Sequence, residues 1–228
     1  MKNAHRHGKA GEMALNQQVG VYEQIRDDII AGHLQSSQRL KVGDLAAQYG
    51  VSTNPIREAL QQLRGEGLVL IEANRGARVR TVDEDFVRDI MEVRMLVEPA
   101  MTRWFVSIVD FADINQLEAV QAEIERLNFG DLARHGRLDT KFHDIIYARH
   151  YNRLAAEVCR HRELLRAISR RYPSSLSRRE AVIRDHRELI ERIRAQDADG
   201  AAEVVARHIE GGGRHLIEQM SLAKRMAG

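Results

Sequence analysis

A single cysteine, Cys159, stands in 228 residues. It leaves no internal disulfide framework, suits a reducing cytoplasm, and reads plainly as a small core side chain on a helix. Prolines number three and aromatic residues make up 5%. That scarcity of turn-forming and strand-favouring residues predicts a mostly helical chain. No run of about 18 apolar residues occurs, so no membrane span is expected. The opening stretch, MKNAHRHGKAGEMALNQQ, lacks the apolar centre of a secretory leader. Residues 1–17 are therefore expected to form a loose tail, and the protein to be cytoplasmic. Charge of one sign is also scarce, with a formal net charge of +2. Its distribution is uneven: residues 1–80 hold 11 Lys+Arg against 8 Asp+Glu, and residues 81–228 hold 24 against 25. The basic excess lies in the first third, a weak footprint for a polyanionic partner.

Helical periodicity is what the chain does have. Val19 to His33 places Val21, Ile25, Ile29 and Ile30 on one face. A polar loop, LQSSQRL, follows. Val42 to Tyr49 reads as a short second helix with Gly50 as its left-handed stop. A third helix, Pro55 to Arg64, carries Ile56, Ala59, Leu60 and Leu63 inward. Two short apolar runs, LVLIEA and ARVRT, flank an Asn-Arg-Gly turn and read as a β-hairpin. Three helices and a hairpin predict a winged helix-turn-helix over residues 18–80. Beyond it, residues 81–228 predict an all-α helical bundle of about six helices. Thr81 and Glu84 suggest a capping box at its start, Pro99 is expected to bend the first long helix, and Gly211-Gly212-Gly213 to weaken or break the last one.

The start of the third helix is crowded. Ser52, Thr53 and Asn54 precede Pro55, which suits a first helical position, and one polar cap would suffice. A helix that enters the major groove wants short polar side chains at its N-terminal tip and a cation close behind. Thr53, Asn54 and Arg57 meet that description; capping plus an ordinary surface arginine is the plainer alternative. Arg39 and Lys41 precede the second helix, and Arg75, Arg78 and Arg80 cluster on the hairpin, where they are placed to fix phosphates while the helix tip reads bases.

The set Leu45-Ala46, Gly50-Val51-Ser52, Pro55 with Arg57-Glu58-Ala59-Leu60, Leu63, Gly67-Leu68 and Arg75-Gly76 resembles the DNA-binding domain of the GntR family of bacterial transcription regulators. The resemblance covers about residues 19–80 and implies binding of a double-stranded operator through Arg57 and the Arg75-Gly76 wing. Thr53 stands where many members have Arg, Asn54 where they have Thr or Ser, and Ser36-Ser37 where Pro-Gly is usual. These departures bear on the operator sequence rather than on the binding mode.

In the second part, RLDTKFHDII puts Asp139 and His143 at i and i+4, one above the other on a packed helix face. His186 and His208 occupy similar settings, and one Asp with three His suits a divalent ion such as Zn, Ni, Mn or Fe. Spacing alone does not select them, because His135 and His150 share the face of Asp139, and His161 and His215 are also available. Residues 85–220 resemble the all-helical effector domain of the FadR-type subgroup of the same family, through EVRMLVEPAMTRW and HYNRLAAEV. In metal-binding members the ligands are one Asp and three His, which fall on Asp139, His143, His186 and His208. The resemblance implies a pocket for a small carboxylic acid whose carboxylate reaches the metal, and a homodimer is expected because dimers fit two half-sites related by two-fold symmetry. Arg94 matches an inward-facing arginine suited to pairing that carboxylate; a salt bridge to Glu98 at i+4 is the alternative. The rival functional reading is a metal-dependent enzyme acting on small acids. Against it, the sequence carries no HExxH motif and no glycine-rich phosphate loop.

Overall fold

Val21, Ile25, Ile29 and Ile30 are buried at helical spacing, and residues 20–31 form α1. The computed structural model describes residues 20–72, 76–127, 130–152, 155, 160–172 and 174–227. The tail 1–17, the turn residues 73–75 with Arg75, Cys159 and the side chain of His161 lie outside the described residues. The chain divides into two units, Met1–Val82 and Asp83–Gly228.

In the first unit, β1 (Arg39–Leu40) leads into α2 (Val42–Tyr49) and α3 (Thr53–Gly65), followed by β2 (Val69–Glu72) and β3 (Gly76–Val79). Gly50 ends α2 at φ 66, and its N–H bonds the Ala46 carbonyl, a left-handed turn that an L side chain would strain. α3 starts two residues earlier than the sequence predicts. Ser52 is the N-cap and Pro55 occupies the third helical position, not the first. Nothing is lost by this, since the first N–H groups of a helix have no intrahelical acceptor in any case. The hairpin gains a strand that the sequence reading assigned to a polar loop. β1 pairs antiparallel with β3 in the order β1-β3-β2. Only Leu40 of that two-residue strand is buried, too short a pattern for periodicity to register. The core gathers Ile25, Ile56, Leu63 and Leu68. Tyr22 Oη donates to Glu66 and Tyr49 Oη to Asp28, each at 2.6 Å, which ties α1 to the end of α3 and to α2. Burial first, then these carboxylates, raise both phenol pKa values above the ordinary tyrosine range.

The second unit has six helices among the described residues: α4 (Glu84–Ile108), α5 (Phe111–Arg126), α6 (Leu132–Tyr147), α7 (Arg160–Arg171), α8 (Leu176–Arg194) and α9 (Ala198–Ala227). α9 packs along α4 and α8, and α5 packs on α6 and α8. Two sequence expectations are corrected here. The cap of α4 is Asp83, whose carboxylate accepts from the Phe86 N–H at 3.0 Å; Thr81 instead meets Ser36 Oγ at 2.6 Å. A carboxylate satisfies an orphan N–H and also meets the positive end of the helix dipole. Asp83→Ala is expected to lower the stability of this unit by about 1 kcal/mol in urea unfolding, whereas Thr81→Ala leaves it within a few tenths.

The second correction concerns Gly211-Gly212-Gly213, which lies inside an unbroken 30-residue helix. Ile209, Gly213, Leu216 and Met220 form its buried stripe, so packing outweighs the propensity loss of about 1 kcal/mol per glycine. A Cβ at Gly213 would lie 2.6 Å from Met91 Cε, and one at Gly211 would lie 2.7 Å from Arg178 Nη1. The triplet lets α4 and the α8 arginine approach. α4 likewise runs on through Pro99.

Candidate functional site

The tip of α3 is open. Ser52, Thr53, Asn54 and Arg57 are exposed, while Ile56, Ala59, Leu60 and Leu63 hold the opposite face against the core. Ser52, the N-cap residue, makes no side-chain capping bond, so the plainer reading of this polar run as a cap is not supported at Ser52. Arg57 has no ion pair among the described residues. Lys41, at the start of α2, makes an exposed contact with Asp44 at 3.7 Å, a pair worth about 0–1 kcal/mol and readily given up. Arg39 and Arg78 are direct cross-strand partners. Like charges placed opposite each other destabilise a sheet, and a polyanion would relieve this. Gly76 opens β3 at φ 78, next to the Arg39 guanidinium. Arg75 lies outside the described residues.

In the second unit, α6, α8 and α9 bring three imidazoles together. One ring nitrogen from each of His143, His186 and His208 lies within 4.8 Å of the others. Asp139 Oδ1 stands 3.9 Å from His143 Nε2 and 3.7 Å from His186 Nε2, while its Oδ2 accepts from Arg166 at 2.9 Å. Burial alone would raise the Asp139 pKa; His143 and Arg166 hold it well below the usual carboxylate range. Burial pulls the His186 pKa down to about 3, with His208 adding to the effect, and lowers His143 strongly too, with the nearby Arg162 adding. Both rings are therefore neutral at pH 7 and offer lone pairs. His135 lines the same cavity but is not part of the three-imidazole group, and His150 packs on Trp104 at 4.8 Å.

The tautomer of His186 is dictated from α5. Arg187 forms two hydrogen bonds to Glu125, at 2.7 and 2.6 Å, and Glu125 accepts from Gln121 Nε2 at 2.9 Å. A carboxylate can only accept, so the Gln121 amide nitrogen must face it and the Gln121 carbonyl must face His186 Nδ1, 2.9 Å away. Nδ1 then carries the proton, and Nε2 is a buried lone pair with no hydrogen-bond partner among the described residues. Phe142 stacks flat on the ring at 4.0 Å. His208 Nδ1 lies 3.3 Å from Asp185 Oδ2, the outer-shell pattern that leaves Nε2 for a ligand. Sequence reasoning missed Gln121 and Asp185, because neither sits near its histidine in the chain. The Gln121-x-x-x-Glu125 spacing on a helix face was the available signal.

Arg94 forms the structural alternative set against its effector role. Its Nε and Nη2 donate to Glu98 at 2.6 and 3.2 Å, and Glu98 is fully buried. Arg94 still borders a cavity of about 730 Å³ that also reaches Asp139, His143 and His208.

Two family models match the chain: bacterial regulatory proteins of the gntR family over residues 17–79, and the FCD domain over residues 89–211. The transcriptional repressor GlaR of Escherichia coli K12 is 30% identical over 209 residues, covering 82% of this chain and 90% of GlaR. The galactonate operon repressor of the same organism is 24% identical and covers 90% of this chain and 99% of its own. A GntR family member from Pseudomonas syringae pv. tomato matches in structure with a TM-score of 0.54, at 25% identity, over 93% of this chain and 89% of its own. The E. coli protein McbR/YncC shares the fold at a TM-score of 0.68 and 20% identity, over 89% of this chain and 98% of its own. With a winged helix-turn-helix in its N-terminal unit and an all-helical C-terminal unit, the chain belongs to the GntR family of transcriptional regulators and carries an FCD effector domain.

Proposed function

We propose that this regulator binds its operator as a homodimer and that a small carboxylic acid, held at a divalent metal in the helical unit, sets its affinity for DNA. Residues 18–80 are the reading domain, and residues 81–228 bind effector and partner subunit. Thr53, Asn54 and Arg57 enter the major groove, and Arg39, Lys41, Arg75 and Gly76 meet the backbone beside it. The exposed tip of α3 and the opposed Arg39 and Arg78 support this assignment. Val93 and Leu96, exposed on the outer face of α4, are the apolar surface assigned to the partner subunit.

The observation that carries the metal is the imidazole cluster. It presents neutral nitrogens, a fixed tautomer at His186, and a buried Nε2 that no described hydrogen bond satisfies. His143, His186 and His208 with Asp139 fit Zn, Ni, Mn or Fe, three nitrogens and one oxygen leaving room for a further ligand. When bound, the metal supplies a Lewis-acid anchor for a carboxylate. Among the described residues, Arg94 Nη1 meets the Met91 sulfur alone, at 3.8 Å, so a donor remains for the acid. The acid stabilises one arrangement of the helical unit, and this population shift is read as altered operator affinity.

The test begins with genome-wide mapping of bound sites, which yields the operator, and elemental analysis of untreated and chelator-washed protein. Operator affinity that falls steeply with salt and about one metal per chain are expected; absence of operator binding at low salt would remove the regulator mechanism. The outer ring has its own prediction. Gln121→Ala is expected to weaken metal binding about 10- to 100-fold, measured by competition with a chelating dye.

A further inference from the structure

Among the described residues, Asp139 is the one acid on the wall of the cavity in the second unit, against seven arginines. Most of the inner ones are engaged. Arg94 is held by Glu98, Arg166 by Asp139, and Arg178 donates to the His208 carbonyl at 2.9 Å near Asp185. Arg162, on α7, is different. It is only 5% exposed, yet the acid it meets among the described residues, Asp144, is mostly exposed and lies 3.5 Å from Nη2. Its Nη1 is buried without a hydrogen-bond partner among the described residues. The guanidinium lies 5.1 Å from the centre of the Tyr147 ring, which in turn stacks 6.1 Å from His143. Arg162 is thus one ring away from the imidazole cluster. A buried guanidinium with an idle donor is costly unless a ligand fills it, and Arg is the side chain best shaped for carboxylate or phosphate.

The geometry points to a dianionic effector: one carboxylate at the metal and a second anionic group, carboxylate or phosphate, on Arg162. This rests on the metal-anchored acid proposed above and adds the class of acid. A cavity of about 730 Å³ lies within the range of small-molecule sites and has room for an acid with both groups inside it.

The test uses the full-length, zinc-loaded protein and isothermal titration with matched ligands. One arm pairs dicarboxylates from malonate to adipate with the monocarboxylates of equal length. The other pairs phosphoglycolate and 3-phosphoglycerate with glycolate and glycerate. The best dianion is expected to bind about 10- to 100-fold more tightly than its matched monoanion. The arm in which the preference appears identifies the second group as carboxylate or phosphate. Arg162→Gln is expected to bring that ratio close to one, and Arg162→Lys to retain part of it. The wild-type ratio needs no variant, so a misfolded Arg162→Gln leaves the test intact. Dianions and monoanions binding equally to fully metallated wild-type protein would overturn the inference and leave the metal-anchored acid standing. An equal loss of both classes in a folded Arg162→Gln would also overturn it. A protein that takes up no metal yet keeps an Arg162-dependent preference would remove the metal anchor and keep the arginine subsite. Failure of every acid to bind metallated protein would overturn both.

Discussion

Replacing His186 with alanine is expected to strip the metal from the purified protein. The ring is one corner of a near-equilateral group of three imidazoles, 5.2 to 5.3 Å apart. It is stacked on Phe142 and oriented by Gln121, and its Nε2 faces Asp139. Loss of an outer-shell partner alone weakens metal binding about 10- to 100-fold, so loss of a ligand should exceed that. Elemental analysis should find well under one metal per chain. The variant also leaves a void beside Phe142 and Ile190, both fully or almost fully buried, so some destabilisation accompanies it. His186→Gln keeps more of the volume and should lose the metal with less stability. Restored metal content in either variant would mean that the cluster is a packing arrangement. The same substitution should abolish the response to acid while leaving operator binding in the absence of acid largely intact, because the reading unit folds around its own core.

The second large effect concerns the α3 tip. Arg57→Ala removes an exposed cation that no described residue pairs. A bidentate base contact is worth about 1–3 kcal/mol, and the proposed homodimer would present the residue twice. Operator affinity is therefore expected to fall by at least about tenfold in a gel shift at fixed salt. The two roles open to Arg57 separate by pattern. A base contact relaxes sequence preference at one position of each half-site. A phosphate clamp weakens all sequences alike and reduces the salt slope by about one per contact. Arg214→Ala removes the same charge from an exposed pair with Glu210 and should change nothing. Equal affinity of Arg57→Ala and wild-type protein would remove α3 from the interface.

Particular elements show what a sequence can carry. The bounds of α2 and α8 are legible from local pattern, because each combines a clear apolar period with a strong terminator or cap: Gly50 at one and Ser175, whose Oγ accepts from the Arg178 N–H, at the other. Misses occur where a distant neighbour decides. β1 exists because β3 pairs with it. The glycine triplet stays helical because Met91 and Arg178 need its missing side chains. Thr81 looks like a cap by spacing, but Ser36 engages it and Asp83 takes over. The same division runs through the candidate site. Asp139 and His143 share a helix face that the sequence shows, together with His135 and His150, and choosing the four ligands among ten histidines rests on the family resemblance. Gln121, Asp185 and Arg162 each sit on a different helix from the group they face, so packing assigns their partners, and only Gln121, through its i,i+4 spacing to Glu125, leaves a local trace.

The central claim is that a metal-held acid controls DNA binding, and one titration addresses it most directly. An operator fragment recovered by site mapping is bound by metal-loaded and by chelator-stripped protein, and acids are added to each in a gel shift. The account predicts that an effective acid changes operator affinity by about 5- to 150-fold in the loaded protein and not in the stripped one. An identical acid response in both, or normal operator binding that no acid alters in either, would contradict it.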